Sequence, residues 1–382
     1  MYKKYLIRAT IYLTLIFVLD IALGFINDPY MIFHKPWTHD KYYFKDMRKQ
    51  AAGIINTHEF DSIILGTSMM QNTSFEEASS EFNANFVNIS IGGGLISERG
   101  AMLRYALDRK YIKNVIMTLD VFDNYGEDKS HTLTSNFSFL YDDSFLNDIK
   151  FYVGFNKAGY LFCGNLIFQN NCPFTVKNLN KATEWYSDIV NQRRFGGVEN
   201  WINYSDDPQI KSAFKRIVSK VEGKPASIDK GRVLRVKNND QFLFKDNVLK
   251  YIDENPEVDF YLFFPPYHRL KHVMWKKYDP SQYEIYKNRV ESIVSLAENY
   301  NNVQVFGYDN FSFVDDISIY KDRGHYHPKI NSLILQWMKN GDGELKPDML
   351  QSYFNEVDKK INEYDLQNII DLIKHKLEKD DI

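Results

Sequence analysis

Five short apolar runs, each stopped by glycine, proline or aspartate, limit what this chain can become. They are Ser62–Leu65, Phe86–Ile91, Val115–Leu119, Val258–Phe264 and Val303–Phe306. Rich in Ile, Val and Phe and too short for helices, they read as buried strands. Between them the pattern turns helical. Ser97 and Glu98 open a helix running to about Arg109, with Met102, Leu103, Ala106 and Leu107 at helical spacing. A second helix covers about 281–299, and another starts near Pro328, where proline suits a first turn. Alternation of this kind predicts an α/β fold, with a parallel sheet covered by helices on both faces.

The alternation breaks over about 126–240, a stretch of Asn- and Phe-rich loops that reads as an insertion covering one edge or mouth of the core. The predicted organisation is therefore an apolar N-terminal segment over 1–27, a connector leading into a helix over 28–57, a domain over 58–344 carrying that insertion, and a charged helical tail over 345–382. In the tail, Ile361, Leu366, Ile369, Ile370, Ile373 and Leu377 recur at helical spacing. That stripe predicts packing on the body, with a partner-binding helix as the alternative.

The N-terminus decides the compartment. Lys3, Lys4 and Arg8 precede Ala9–Ile26, which is apolar apart from Asp20, Thr10 and Thr14. Eighteen helical residues rise ~27 Å, close to the thickness of a bilayer's hydrocarbon core. The basic start predicts a single-pass anchor with the N-terminus in the cytoplasm and the rest of the chain outside it. A cleaved export signal ending near Ala22-Leu23-Gly24 is the alternative. The formal net charge is −3, with both signs mixed along the chain, so no nucleic-acid surface is expected. Cys163 and Cys172 lack the companions of a zinc site; they close one short loop or are ordinary buried thiols.

Three elements carry chemistry. Gly66-Thr67-Ser68 follows the first strand, which puts a hydroxyl at the carboxyl end of a parallel strand, where sites in open α/β sheets lie. A serine hydroxyl needs a base and an oxyanion site, and otherwise such a tripeptide is a turn and helix cap. Near the other end stands Tyr320-Lys-Asp322-Arg-Gly-His325-Tyr-His327-Pro328. Asp322 and His325, three residues apart, can share one side of a turn, the carboxylate holding Nδ1–H and leaving Nε2 free to take a serine proton. His327 as base, with Asp315 or Asp316 as acid, is the alternative set. Last, Gly92-Gly93-Gly94 after the second strand allows close approach of backbone N–H groups to an oxyanion. His268, just past Pro265-Pro266-Tyr267, is a candidate for lining the pocket, with a surface or capping role as the alternative. Arg193-Arg194 reads as a solvated pair of charges or a grip for an anionic polymer.

The order of these blocks resembles the SGNH (GDSL-like) hydrolase superfamily over roughly 58–125 and 255–340. More narrowly, the anchor, Asp322-Arg-Gly-His-Tyr-His-Pro328 and the strand ending Leu262-Phe-Phe-Pro-Pro-Tyr267 are similar to exported, single-anchor proteins of cell-surface modification. These include the DltD-like proteins of lipoteichoic acid D-alanylation and the acetyltransferases of surface polysaccharides. The resemblance implies a flavodoxin-like three-layer α/β/α core, with Ser68 as nucleophile, His325 as base and acid, and Asp322 as its orienter. It also implies an oxyanion hole from the backbone N–H groups of Ser68 and of Gly92 or Gly93. The family's Gly-x-Asn block reads Leu119-Asp-Val-Phe-Asp-Asn124 here, which leaves Asn124 as the candidate third donor. An ionised Asp cannot donate. The expected function is extracytoplasmic acyl transfer to or from a cell-envelope glycan, with no metal or soluble cofactor. An integral-membrane acyl-donor protein is the expected partner. A secreted carbohydrate esterase and a catalytically inactive scaffold are the rivals.

Overall fold

The computed structural model describes residues 2–37, 41–122, 136–153, 175–203 and 208–380. The predicted runs form one five-stranded sheet from β2 (Ser62–Leu65), β3 (Phe86–Asn88), β4 (Asn114–Thr118), β6 (Asp259–Phe264) and β7 (Val303–Gly307). Its order is β3-β2-β4-β6-β7, and all four pairings are parallel. A separate antiparallel ribbon joins β1 (Tyr43–Phe44) to β5 (Thr175–Val176). The strands are buried on both faces: Ile63, Ile64, Leu65, Val115, Ile116, Met117, Leu262 and Phe263 have no exposed surface. This is why they read as continuous apolar runs and not as alternating ones.

The helices follow from the same arithmetic. From β2 the chain moves one way along the sheet to β3, and from β3 it crosses back over β2 to β4. Right-handed crossovers put the two connecting helices on opposite faces. They are α3 (Phe75–Phe82) and α4 (Ile96–Leu107). On one face α3 packs against α9 (Pro328–Asn340), the helix after β7. On the other, α4 packs against α2 (Met47–Thr57) and against a long helix that begins as α6 (Lys230–Phe244) and continues through a π turn to Glu254. That long helix packs on α8 (Pro280–Ala297), which is joined by α7 (Arg269–Tyr278). Local signals fix the ends. Ser74 Oγ accepts from Glu77 N–H at the start of α3, and Asn83 closes it at φ 49°. His327 caps α9, Pro328 opens it and Gly341 ends it at φ 79°.

The segment over 28–57 is more than a connector. Tyr30, Met31 and Ile32 are buried, and a Cβ on Gly53 of α2 would fall 2.0 Å from the Tyr30 carbonyl oxygen. The tail forms α10 (Leu350–Glu363) and α11 (Gln367–Asp380), and its stripe is buried at Ile361, Leu366, Ile369, Ile370 and Ile373. Before it, Leu345 N–H donates to Val305 O (2.7 Å) and covers the outer edge of β7.

At the other end, α1 (Tyr2–Asn27) is long and apolar enough to cross a membrane, and nearly all its side chains stand clear of the body. Asp28 ends it. Its buried carboxylate accepts from the N–H groups of Ile32, Phe33 and His34 (2.8–2.9 Å) and from Tyr152 OH (2.5 Å). Burial raises this carboxyl above the ordinary range against those hydrogen bonds.

Candidate active site

The direction of chain travel reverses between β2 and β4, so the connections leaving their carboxyl ends diverge and leave a crevice. Residues 66–68 enter it from β2. Gly66 is demanded by packing, since a Cβ there would lie 2.6 Å from Met70 Cβ and 3.3 Å from Thr118 Cγ2. The turn closes with Met70 N–H donating to Thr67 O (3.0 Å). Helix α3 starts later and is capped by Ser74, so the Ser68 hydroxyl is spared the usual capping role. It meets His325 instead, with Ser68 Oγ 2.8 Å from Nε2.

His325 is delivered by a tight loop clamped at its base. Tyr320 pairs with Tyr326, Lys321 N–H donates to His325 O (3.0 Å), and His327 N–H donates to Ile319 O (2.8 Å). Inside the loop, Asp322 Oδ1 accepts from the N–H groups of Gly324 and His325 (both 2.8 Å). Its carboxylate also receives His325 Nδ1–H, at 2.8 Å to Oδ2 and 3.0 Å to Oδ1. A carboxylate only accepts, so the ring carries its hydrogen on Nδ1 and offers the lone pair of Nε2 to Ser68. Burial pushes the Asp322 carboxyl up, but the imidazole, its hydrogen bonds and Lys321 hold it far below the usual carboxylate range.

The other sequence candidates fare differently. Gly93, at φ 61°, lines the cavity in front of Ser68, whereas the Gly92 carbonyl is held by Arg48 (3.2 Å) and Gly92 lies outside that lining. Asn124, Cys163 and Cys172 lie outside the described residues. His268 does not line the pocket. Its ring is fully buried among Trp201, Tyr320 and Tyr364, and Nδ1 accepts from Leu270 N–H (3.1 Å) to cap α7. Burial lowers its pKa to about 3, so it stays neutral. His327 is spent on capping α9 and on Tyr186 OH (2.9 Å). Asp315 pairs with Arg269 (2.6 Å), and Asp316 caps Ser318 (2.9 Å). Arg193 is exposed, while Arg194 is buried and lines the cavity.

Several residues at the site take roles that the sequence did not assign to them. Thr67 Oγ1 donates to Asp120 Oδ2 (2.7 Å), at the carboxyl end of β4. Beneath it the fully buried Arg99 of α4 donates to the carbonyls of Thr118 and Asp120 and lies 3.6 Å from the Asp120 carboxylate. Asp120 is therefore an acceptor locked in place at the carboxyl end of β4. Trp185, from the middle of the chain, donates Nε1–H to Ser68 O (2.8 Å) and sets its ring edge-on to His325 at 5.5 Å. Lys321 lies over the indole at 3.9 Å. The cavity in front of Ser68 measures about 570 Å³. Tyr267, Met274 and Trp275 line it, as do residues of the middle segment, among them Ile210 and Ala213. Comparison with protein-family models, curated proteins and solved structures finds no match to this chain.

Proposed function

We propose that this protein is a serine-dependent esterase or acyltransferase of the SGNH type, held to a membrane by α1 and acting outside the cytoplasm on an acylated cell-envelope glycan. The observation that carries the reading is the unbroken relay from Ser68 Oγ through His325 to Asp322, opening on a cavity at the sheet's switch point. A serine, an imidazole and a carboxylate in this order form an activated nucleophile whatever the fold.

The chemistry follows from the geometry. Ser68 Oγ attacks the acyl carbonyl carbon as its proton passes to His325 Nε2, and Asp322 stabilises the imidazolium. The negative charge moves to the carbonyl oxygen, for which the N–H groups of Ser68 and Gly93, both on the cavity lining, are the proposed donors. Collapse expels the alcohol, which leaves with the proton from His325, and the acyl group stays on Ser68. Water or a sugar hydroxyl then gives its proton to His325 and attacks the ester, releasing a carboxylic acid or a newly acylated sugar and restoring Ser68. Water as second nucleophile makes an esterase, and a sugar makes a transferase.

The test is covalent labelling of the full chain in detergent with a fluorophosphonate. Wild type labels, while Ser68→Ala and His325→Ala lose labelling by at least ~10³-fold in rate and keep the wild-type far-UV spectrum. Labelling of Ser68→Ala at the wild-type rate would remove Ser68 as the nucleophile. A folded wild type that does not label would favour the inactive scaffold.

A further inference from the structure

The cleft holds more positive charge than acyl transfer uses. Among the described residues, Arg194, Arg216, Lys220, Lys271 and Arg323 line it, against two carboxylates, Asp120 and Asp322. Both carboxylates are committed: Asp120 to Thr67 and Arg99, and Asp322 to His325. Lys220 is neutralised by Asp279 at 3.1 Å. Arg216, Lys271 and Arg323 make no carboxylate ion pair among the described residues.

These three arrive from separate elements. Arg216 is on α5 (Pro208–Glu222), Lys271 on α7, and Arg323 in the loop between Asp322 and His325. Lys271 lies over the Tyr267 ring at 3.1 Å and near that of Trp275 at 5.1 Å. The titration of Arg323 and Lys271 reflects the convergence. Burial, then Arg216, lowers the Arg323 guanidinium; burial, then Arg323, pushes the Lys271 ammonium down to about 7, against the pull of Asp322, Asp120 and Asp309. Folding has gathered like charges around one cleft, with Lys271 and Arg323 partly desolvated and Arg216 at the solvent side. An anion entering the cleft relieves that repulsion and gains charge-assisted hydrogen bonds.

We propose that Arg216, Lys271 and Arg323 form an anion subsite that seats an acidic substituent of the substrate, a phosphate diester or a uronate carboxylate, beside the acyl group presented to Ser68. This deepens the proposed function, on which the glycan rests; the charge requirement rests on the cleft alone. The Tyr267 and Trp275 rings supply an apolar wall for the sugar that carries the charge.

The test is calorimetric titration of the full chain in detergent with trigalacturonate, a glycerol phosphate trimer and neutral chitotriose. One of the acidic probes binds, and which one identifies the source of the charge. Its affinity falls about tenfold in Arg216→Gln, is restored in Arg216→Lys, and declines as salt rises. Arg216 is exposed, so its replacement leaves folding intact. Chitotriose binding as tightly as the acidic probes, neither acidic probe binding, or Arg216→Gln matching wild type would each overturn the subsite. Fluorophosphonate labelling of the same samples separates the two ideas. Anion binding without labelling overturns the acyl-serine reading alone, and labelling without anion binding overturns the subsite alone.

Discussion

Lys271 shows what the cleft demands of a single residue. An ammonium free in solution titrates near 10.4, and this one is held at about 7 by burial and by Arg323. Below pH 7 both folded and unfolded chains carry the charge, and the folded one bears the full penalty. As pH rises from 7 towards 10.5 the folded form sheds its proton first, and the penalty disappears. Lys271→Met is therefore expected to raise the melting temperature at pH 6 by roughly 2 °C or more. The gain should shrink towards zero by pH 10. Calorimetric scans at the two pH values check this, and an equal gain at both would mean that only packing had changed. Arg99 is the opposite case, a buried cation fully matched by Asp120 and two carbonyls, whose charge is spent on holding the turn beneath Ser68.

At the scale of elements, the tail helices are part of the body. Val357, Ile361, Ile370 and Ile373 are fully buried, Tyr353 OH donates to the buried Asp309 (3.1 Å), and Lys276 of α7 pairs with Asp358 (2.6 Å). The apolar burial alone is of the order of a domain's net stability. A chain stopped at Glu344 should therefore lose cooperative unfolding and become sensitive to protease; a melting transition as sharp as wild type's would show the tail to be an accessory. The same elements show what can be read without a structure. The five strands were legible because burial on both faces leaves uninterrupted apolar runs, and Gly66 and Pro265 mark where they stop. Ser68, Asp322 and His325 were legible as chemistry because their spacing suits a relay, and the fold brings them within hydrogen-bonding distance. The individual contacts that the insertion makes at the cleft were not. Trp185 reaches a backbone carbonyl, an interaction without a pattern, and Arg216, Lys271 and Arg323 meet only through tertiary packing. His268 takes the capping role and not the place in the pocket, because the chain turns inward after Pro265-Pro266 and buries the ring in the core.

For the whole molecule, the membrane reading acquires a second point of contact. At the far end of α1, Phe25 packs edge-on to His34 (5.3 Å) and Trp37 (6.1 Å); His34 stacks on Trp37 at 3.6 Å, and Phe33 meets Phe145 at 5.0 Å. Trp37, Phe145 and Leu146 remain exposed. Aromatic rings at the level where a spanning helix leaves the hydrocarbon settle among the headgroups. In vesicles, brominated lipids should quench Trp37 fluorescence by about half or more relative to a Trp37→Phe control. An unchanged signal would lift the body clear of the surface.

Most single-anchor enzymes are pictured on a leash, sweeping out a hemisphere of possible encounters. Asp28 makes this junction a bracket: the N–H groups of Ile32, Phe33 and His34 fold the first residues after α1 around its carboxylate, and Tyr152 ties that carboxylate to the globular body. With the proposed anchor in a bilayer, a bracketed cleft works in one stratum at a fixed height. Under the proposed function, a polymer growing from the membrane would then be modified only while the reacting unit passes through that layer, so spacing along the finished chain would record how fast it was moving.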